Sequence, residues 1–284
     1  MKMFLLSIFN PKFLQKFYGI ISLFRRSKLL KKESNLGLYK IRRLGIKLWL
    51  DKNSYLQNKI INFGVWEKNS TKIIKKYLKP GDIFIDVGAN IGYFTILASK
   101  IVGDNGRVLA YEPTKKYATQ IKMNIKDNDK HNNISFFPYG LSDTSTQAVI
   151  NIGNSSATLH KFGDLSENDI ERIELKQFDT VFNKSSIDRI DFIKVDIDGH
   201  EPAFFKGAIK NIKKYKPKIL LEVNQANYYK AGFDLTEFYN TIKGLNIYIY
   251  SENNLEEIKD INSFLLKCGN FTHSHNILLS FNKI

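Results

Sequence analysis

The feature that most constrains this chain is an alternation of short apolar runs with helically spaced segments, beginning near residue 83. Ile83, Phe84, Ile85, Asp86 and Val87 form a compact apolar run, a turn from Gly88 to Gly92 follows, and residues 93–101 have helical spacing. Residues 107–111 read as a second strand ended by Glu112 and Pro113, residues 115–126 as a second helix, and residues 134–138 as a third strand with a loop at 140–143. After a middle region of no clear pattern, residues 190–196 read as a fourth strand. A helix at 201–212, with Pro202 in its first turn, and a fifth strand at 217–223 follow. Residues 228–243 read as one helix, and residues 247–250 and 277–281 as closing strands, the last an antiparallel partner. Strands separated by helices need crossover connections, so the pattern predicts a mostly parallel, doubly wound α/β sheet.

Upstream, Trp49 to Asp51 and Phe63 to Glu67 read as pieces of an N-terminal cap or hairpin, and Ser70 and Thr71 as the start of a helix over 72–78. The first 32 residues differ in kind. They carry Lys2, Lys12, Lys16, Arg25, Arg26, Lys28, Lys31 and Lys32 among large apolar residues, with no acid before Glu33. Pro11 and the interleaved lysines break the apolar run short of the ~20 residues that cross a bilayer. Such a basic amphipathic extension (residues 1–35) suits peripheral contact with an anionic membrane, or packing on the domain at 36–284 or on a second subunit. Both readings stay open.

The 284 residues and their ordinary apolar fraction suffice for one large α/β domain. The net charge of +15 comes without a helix-turn-helix, zinc finger or aromatic RNA-binding strand, so no nucleic-acid partner is expected. A single cysteine, Cys268, excludes an internal disulfide framework and implies the cytoplasm, at or near the inner face of the membrane.

Four motifs carry chemistry. In the first, Gly88 and Gly92 let the chain turn sharply between strand and helix, and the helix N-terminus offers free N–H groups to an anion. Asp86 at the strand end disfavours a pyrophosphate and suits an ammonium. Asn90 and Tyr93 depart from the dinucleotide glycine pattern. A zwitterionic end, such as the methionyl group of S-adenosylmethionine, fits both facts. The second is Glu112, at the end of the next strand, where a carboxylate can accept both hydrogens of a ribose diol. In the third, Asp143 after Gly140, Leu141 and Ser142 is placed to meet an adenine amino group. The fourth gathers Asp196, Asp198, His200 and Glu201 where a buried strand ends, with Asp198 or His200 as alternative helix caps. Glu222 ends the following strand and with Asp196 lines an acceptor pocket; two hard-oxygen ligands are too few to assign a metal. His273 and His275 lack partners and read as structural. Asp196 is a candidate for both cofactor and acceptor, while Asp196, Asp198 and His200 are the candidate bases.

These motifs together resemble the FkbM family of methyltransferases. The resemblance rests on residues 84–95, on Tyr111, Glu112 and Pro113, on Leu141, Ser142 and Asp143, and on residues 193–201, Lys206 to Ala208 and 217–223. A loop at 154–159 is similar to a family loop near the acceptor. Tyr111 stands where Phe is commoner, and Ile197, Asp198 and Gly199 where a Val-Glu-Gly run is frequent. The resemblance implies a Rossmann-like class I methyltransferase fold with a mostly parallel seven-stranded sheet, S-adenosylmethionine as cofactor, and O-methylation of a hydroxyl on a saccharide or a small metabolite. A nicotinamide-dependent oxidoreductase and a non-catalytic membrane-binding module are the alternatives from other classes. If the basic extension holds the protein on membranes, deleting residues 1–32 shifts it from the membrane to the soluble fraction; unchanged partitioning sinks that expectation.

Overall fold

The computed structural model describes residues 35–152, 157–159 and 170–284; the basic segment at 1–32 and loop residues 154–156 lie outside the described residues. The described chain opens with a hairpin, β1 (Leu36–Ile41) and β2 (Ile46–Asp51), followed by α1 (Tyr55–Phe63) and α2 (Lys68–Tyr77). Then come β3 (Ile83–Val87), α3 (Tyr93–Val102), β4 (Arg107–Tyr111), α4 (Lys115–Asn128) and β5 (Ile134–Phe137). The middle region contributes β6 (Gly140–Ser142), β7 (Thr146–Ile152), β8 (Ala157–Thr158), β9 (Ile170–Gln177) and α5 (Phe178–Phe182). The alternation resumes with β10 (Phe192–Val195), α6 (Glu201–Tyr215), β11 (Lys218–Val223), α7 (Gln225–Lys230) and α8 (Leu235–Lys243). It closes with β12 (Tyr248–Ser251), α9 (Ile261–Cys268) and β13 (His275–Ser280).

Seven strands form one sheet in the order β12-β13-β11-β10-β3-β4-β5. From β11 to β5 all neighbours are parallel, and β13 runs antiparallel between β11 and β12. The expected mostly parallel seven-stranded sheet is thus present, and its order reverses between β3 and β10. Every residue of β3 is buried, as a central parallel strand covered on both faces requires. The period-two alternation splits its side chains between two core layers. Ile83, Ile85 and Val87 pack with Phe204 and Phe205 of α6, whereas Phe84 packs with Phe192, Leu220 and α3 on the other face.

Several boundaries differ from the sequence expectation. Residues 140–142 are strand β6, because the middle region folds into a second sheet of order β6-β9-β7-β8 in which β6 runs parallel to β9. The helix expected over 228–243 is two helices. Gly232 turns the chain at φ 76°, and Asp234 starts α8 afresh by accepting from the Glu237 N–H at 2.9 Å. Trp49 to Asp51 do lie in a hairpin, but Phe63 to Glu67 join α1 to α2 through Gly64 at φ 67°. Ser70 and Thr71 sit inside α2, where both are buried. Their side chains bond laterally, the Thr71 hydroxyl donating to the Trp66 carbonyl at 2.8 Å, so they are not caps.

Gly207 sets how closely α6 approaches the edge of the second sheet. A Cβ there would lie 1.9 Å from the Ser142 carbonyl oxygen and 2.9 Å from the Asp143 Cα, both backbone atoms. In an open helix Gly→Ala stabilises by up to about 1 kcal/mol. Here the methyl meets main chain, so Gly207→Ala is expected to destabilise by about 1–3 kcal/mol, read as a lowered urea midpoint; a raised midpoint would show that α6 is not held against β6.

Candidate active site

At the carboxyl ends of β3, β4 and β10, where the strand order reverses, lies a cavity of about 250 Å³. Its wall includes Gly88 and Asn90 after β3, Glu112 after β4, Tyr117 of α4, and Lys194, Asp196, Asp198 and His200 at the end of β10. Glu222 comes from β11, Ile150, Ile173 and Leu175 from the second sheet, and Trp66 and Glu67 from the segment entering α2. Apolar walls with a few convergent polar groups are the usual make-up of a small-molecule site.

Gly88 adopts φ 81°, and a Cβ on it would fall 2.0 Å from the Asp196 carbonyl oxygen. Its close approach is therefore to a second turn of this chain, and the Asp196 N–H donating to the Val87 carbonyl at 3.1 Å joins the same two turns. Asp86 stands behind this wall. Only 1% exposed, it accepts from the Thr95 hydroxyl at 2.5 Å, and its Oδ1 has no hydrogen-bond partner among the described residues. Burial raises its pKa, against the opposing pull of Lys194 and Thr95. Gly92, at φ 85°, does not line the cavity: a Cβ there would meet Ile121 at 2.7 Å, so this glycine serves the packing of α3 on α4.

Glu112 faces the cavity but is already engaged. Its Oε2 accepts from the Asn90 N–H at 3.0 Å, and its Oε1 from the Thr114 N–H at 3.0 Å and the Thr114 hydroxyl at 2.8 Å. A carboxylate offers about four acceptor sites, so roughly one remains, enough for one ribose hydroxyl and not for both. Asn90 sits at φ 50° with its own Oδ1 accepting from the Ile91 N–H at 2.8 Å, which fixes the turn. Asp143 lies outside the wall, accepting from the Ser142 hydroxyl at 3.0 Å.

His200 occupies the N-cap position of α6 without making a cap bond; its Nε2 lies 2.9 Å from the Ser142 hydroxyl. Glu201 braces the turn instead. Its carboxylate accepts from the Ile197 N–H at 2.8 Å and the Gly199 N–H at 3.0 Å, and it is 1% exposed and outside the wall. Burial pushes its pKa up to about 8 against those donors. The braced turn holds Asp198 at φ 52° and Gly199 at φ 104°. The pKa of Glu222 is raised well above the ordinary range by burial, then by the charges of Asp196, Asp198 and Glu201.

Three wall residues escaped the sequence reading as site residues. Lys194 is 3% exposed and its ammonium lies 2.7 Å from Asp196 and 4.6 Å from the Phe94 ring centroid. A lysine inside an apolar strand two residues before an aspartate was the available signal. Burial lowers its pKa, but Asp196, Glu67 and Asp86 more than offset this and raise it. Tyr117 lines the cavity with a buried hydroxyl that has no partner among the described residues. Glu67, at φ 40° before α2, belongs to no motif, and nothing in the sequence marked it. His273 and His275 lie away from this cavity.

The family model described as "Methyltransferase FkbM domain" matches residues 86–271, well over half of the chain. This chain belongs to the FkbM methyltransferases. The match runs beyond residue 225, where the sequence resemblance ended, so most of the C-terminal segment is part of the family domain. Methyltransferase sdnD of Sordaria araneosa is 22% identical over 198 residues, which are 56% of this chain and 76% of that one. Among solved structures, methyltransferase FkbM of Methylobacillus flagellatus KT is 16% identical with a TM-score of 0.44, covering 81% of this chain and 56% of that one. A SAM-dependent O-methyltransferase of Thermotoga maritima is 13% identical with a TM-score of 0.46, covering 78% and 69%. The chain thus spans little more than half the length of the solved FkbM relative.

The chain therefore carries a methyltransferase domain, and S-adenosylmethionine is the cofactor that such a domain implies. The cavity fits that cofactor on observations of its own. The orphaned Tyr117 hydroxyl, the remaining acceptor site of Glu112 and the turn before α3 all line it. Among the described residues no group of three or more His, Cys, Asp or Glu has a metal-binding arrangement, and no helix is long and apolar enough to cross a membrane.

Burial, then the charges of Asp196 and Glu112, push Asp198 up to about 7. A carboxyl whose pKa is higher folded than unfolded takes up a proton on folding, and its stabilisation is lost as pH rises through the folded value. Stability of the protein without ligand is therefore expected to fall between about pH 4 and 7, by less than about 1.4 kcal/mol per pH unit for this one group. Asp198→Asn, which tolerates the left-handed backbone, should flatten the dependence of the urea midpoint on pH; an unaltered curve would remove Asp198 as its source.

Proposed function

We propose that this methyltransferase acts on a hydroxyl of a sugar, within a surface glycan or a lipid-linked saccharide, and so forms an O-methyl ether. The observation that carries this reading is the lining of the cavity. Among the described residues, five carboxylates, Glu67, Glu112, Asp196, Asp198 and Glu222, face it with Lys194 as the one lysine, and Trp66, Tyr93 and Phe94 share the wall. Sugar hydroxyls donate to carboxylates, and the C–H faces of a pyranose pack on aromatic rings. An acceptor bearing phosphate or carboxylate would meet like charge in a partly desolvated site. The basic, apolar stretch at 1–32 supports an acceptor carried on a lipid.

S-adenosylmethionine supplies, when bound, an electrophilic methyl group on a sulfonium. The chain's own task is to hold donor and acceptor in line, a contribution of up to ~7–11 kcal/mol. Glu112 receives one ribose hydroxyl, the Tyr117 hydroxyl a second polar group of the nucleoside, and the turn from Gly88 to Gly92 the methionyl end. Asp196, Asp198, His200 and Glu222 hold acceptor hydroxyls. Asp86, Gly92, Asp143 and Glu201 act at one remove. Asp86 and Gly92 support the first turn, Asp143 and Ser142 orient His200, and Glu201 orients Asp198. The Lys194 ammonium, 2.7 Å from Asp196, fixes that carboxylate in the wall.

Two measurements test the reading together. Calorimetric titration with S-adenosylhomocysteine should give micromolar binding that Glu112→Ala weakens about 10- to 100-fold, the worth of a hydrogen bond to a charged group. Transfer of tritium from labelled S-adenosylmethionine should occur to methyl glycosides of hexoses and deoxyhexoses, and not to catechols or simple phenols. Methylation of phenols with none of the glycosides would overturn the sugar assignment while leaving the methyltransferase intact.

A further inference from the structure

A methyl ether forms only if the acceptor loses a proton, and a walled cavity must let that proton leave. Beyond the Glu67 end of the active cavity lies a second one of about 420 Å³, lined by Glu252, Asn276, His275 and Lys267 and by the exposed Asn253, Ser274 and Leu266. Between the two stands Ser70, fully buried in the first turn of α2. Its hydroxyl is hydrogen-bonded to the Glu252 carboxylate, and the Asn276 side-chain nitrogen bridges it to Glu67. Asn276 of β13 clamps the set: its side-chain nitrogen lies 3.3 Å from Glu67, 3.1 Å from Ser70 and 3.3 Å from Glu252, its two N–H groups shared among the three acceptors. Glu67 thus faces the active cavity, Glu252 faces the outer one, and the Ser70 hydroxyl stands between them beside the Asn276 amide.

Building on the reading of this site as an O-methyltransferase, we propose that Glu67 takes the proton of the acceptor hydroxyl and passes it through Ser70 to Glu252, which releases it into the outer cavity. As the acceptor oxygen gains the methyl carbon, the carbon–sulfur electron pair stays on sulfur, and the O–H proton moves to the Glu67 carboxylate. Protonated Glu67 then donates to the Ser70 oxygen while the Ser70 proton passes to Glu252. The serine ends chemically unchanged. A hydroxyl is suited to this relay because it donates and accepts at once.

The backbone and the surroundings fit the role. Glu67 holds φ 40°, a conformation that costs an L-residue roughly 1–2 kcal/mol, directly before α2, yet its side chain makes no cap bond and faces the cavity instead. The groups facing it are Lys194 of β10 and Asp196 just after it, Glu222 from β11, Tyr93 from α3 and Glu252 from the loop after β12. Burial pushes Glu67 up to about 7, with Lys194 and Ser70 opposing and Asp196 and Glu252 adding to the rise. A base poised there accepts and surrenders a proton with little bias at neutral pH. Of the three candidates from the sequence, Asp196 is engaged by Lys194 and His200 by Ser142, which leaves Asp198 as the rival base.

The first test needs no acceptor. Infrared difference spectra of the full chain with S-adenosylhomocysteine, taken between pH 5 and 9, should show protonated-carboxyl bands titrating between about 7 and 8. Glu67→Gln should delete one component, with its midpoint near 7, while those of Asp198 and Glu201 remain. Ser70→Ala should move the Glu67 midpoint upward, since the lost hydroxyl favoured the ionised form. No such component, or a midpoint indifferent to Ser70→Ala, overturns the relay. The second test uses the methyl glycoside that turns over fastest in the panel above. Glu67→Gln should lower kcat about 10²–10⁴-fold with S-adenosylhomocysteine binding unchanged within threefold. Ser70→Ala and Glu252→Gln should each lower kcat about tenfold and alter the solvent deuterium isotope effect, which a purely structural serine would not change. Full turnover by Glu67→Gln overturns the assignment of the base. Wild-type protein that binds no S-adenosylhomocysteine, or methylates phenols alone, overturns instead the reading on which this inference rests.

Discussion

Lys194 lies in the second-to-last position of the central strand β10, 3% exposed, with its ammonium 2.7 Å from Asp196 and in the field of Glu67 and Asp86. A lone ammonium would not remain charged at that depth, and several carboxylates would not remain ionised beside one another without it. Each therefore makes the other tolerable. The arrangement leaves more carboxylates than cations around the cavity, so protons must fill part of the deficit. Burial first, and the neighbouring carboxylates second, raise Glu67 and Asp198 to about 7. The electrostatics of the site is a shared property of four strands and the segment entering α2, and no single motif carries it.

Close backbone approaches hold this charge arrangement in place. Gly88 brings the turn after β3 against the Asp196 carbonyl, and Gly207 brings α6 against the backbone of Ser142. The second approach sets Ser142 within 2.9 Å of His200. Glu201 closes the circuit by accepting from two N–H groups of the turn that presents Asp198. Several residues that read as ligand contacts along the chain are thus supports of the residues that face the cavity. Removing one of them would be felt as a shift of the wall, and not as the loss of a contact.

The domain shared with the FkbM family, residues 86–271, carries the turn after β3, Glu112 and the acidic cluster after β10. It does not include Glu67, Ser70 or Asn276. The turn after β3, Glu112 and the acidic cluster therefore come from the shared domain, while Trp66 and Glu67 of the same cavity come from an N-terminal segment outside it. A division of that kind lets one methyl-donor site serve different acceptors by changing the segments around it.

The sequence by itself determined the alternation of strands and helices, the parallel sheet, the sharp glycine turn from Gly88 to Gly92, and the positions of Glu112 and Asp196 at strand ends. All of these depend on local rules: side-chain period, the conformational freedom of glycine, and the geometry of a strand running into a helix. Only the tertiary structure decided that Asp86 lies behind the cavity wall, that Asp143 lies outside it, and that Glu112 has about one acceptor site left. It alone brought Glu67, Lys194 and Glu222 to the same cavity and set Ser70 between two carboxylates from opposite ends of the chain. Those outcomes depend on distances through space between segments far apart in sequence, which the order of the sheet and the thickness of its packing layers set, and which no local pattern records.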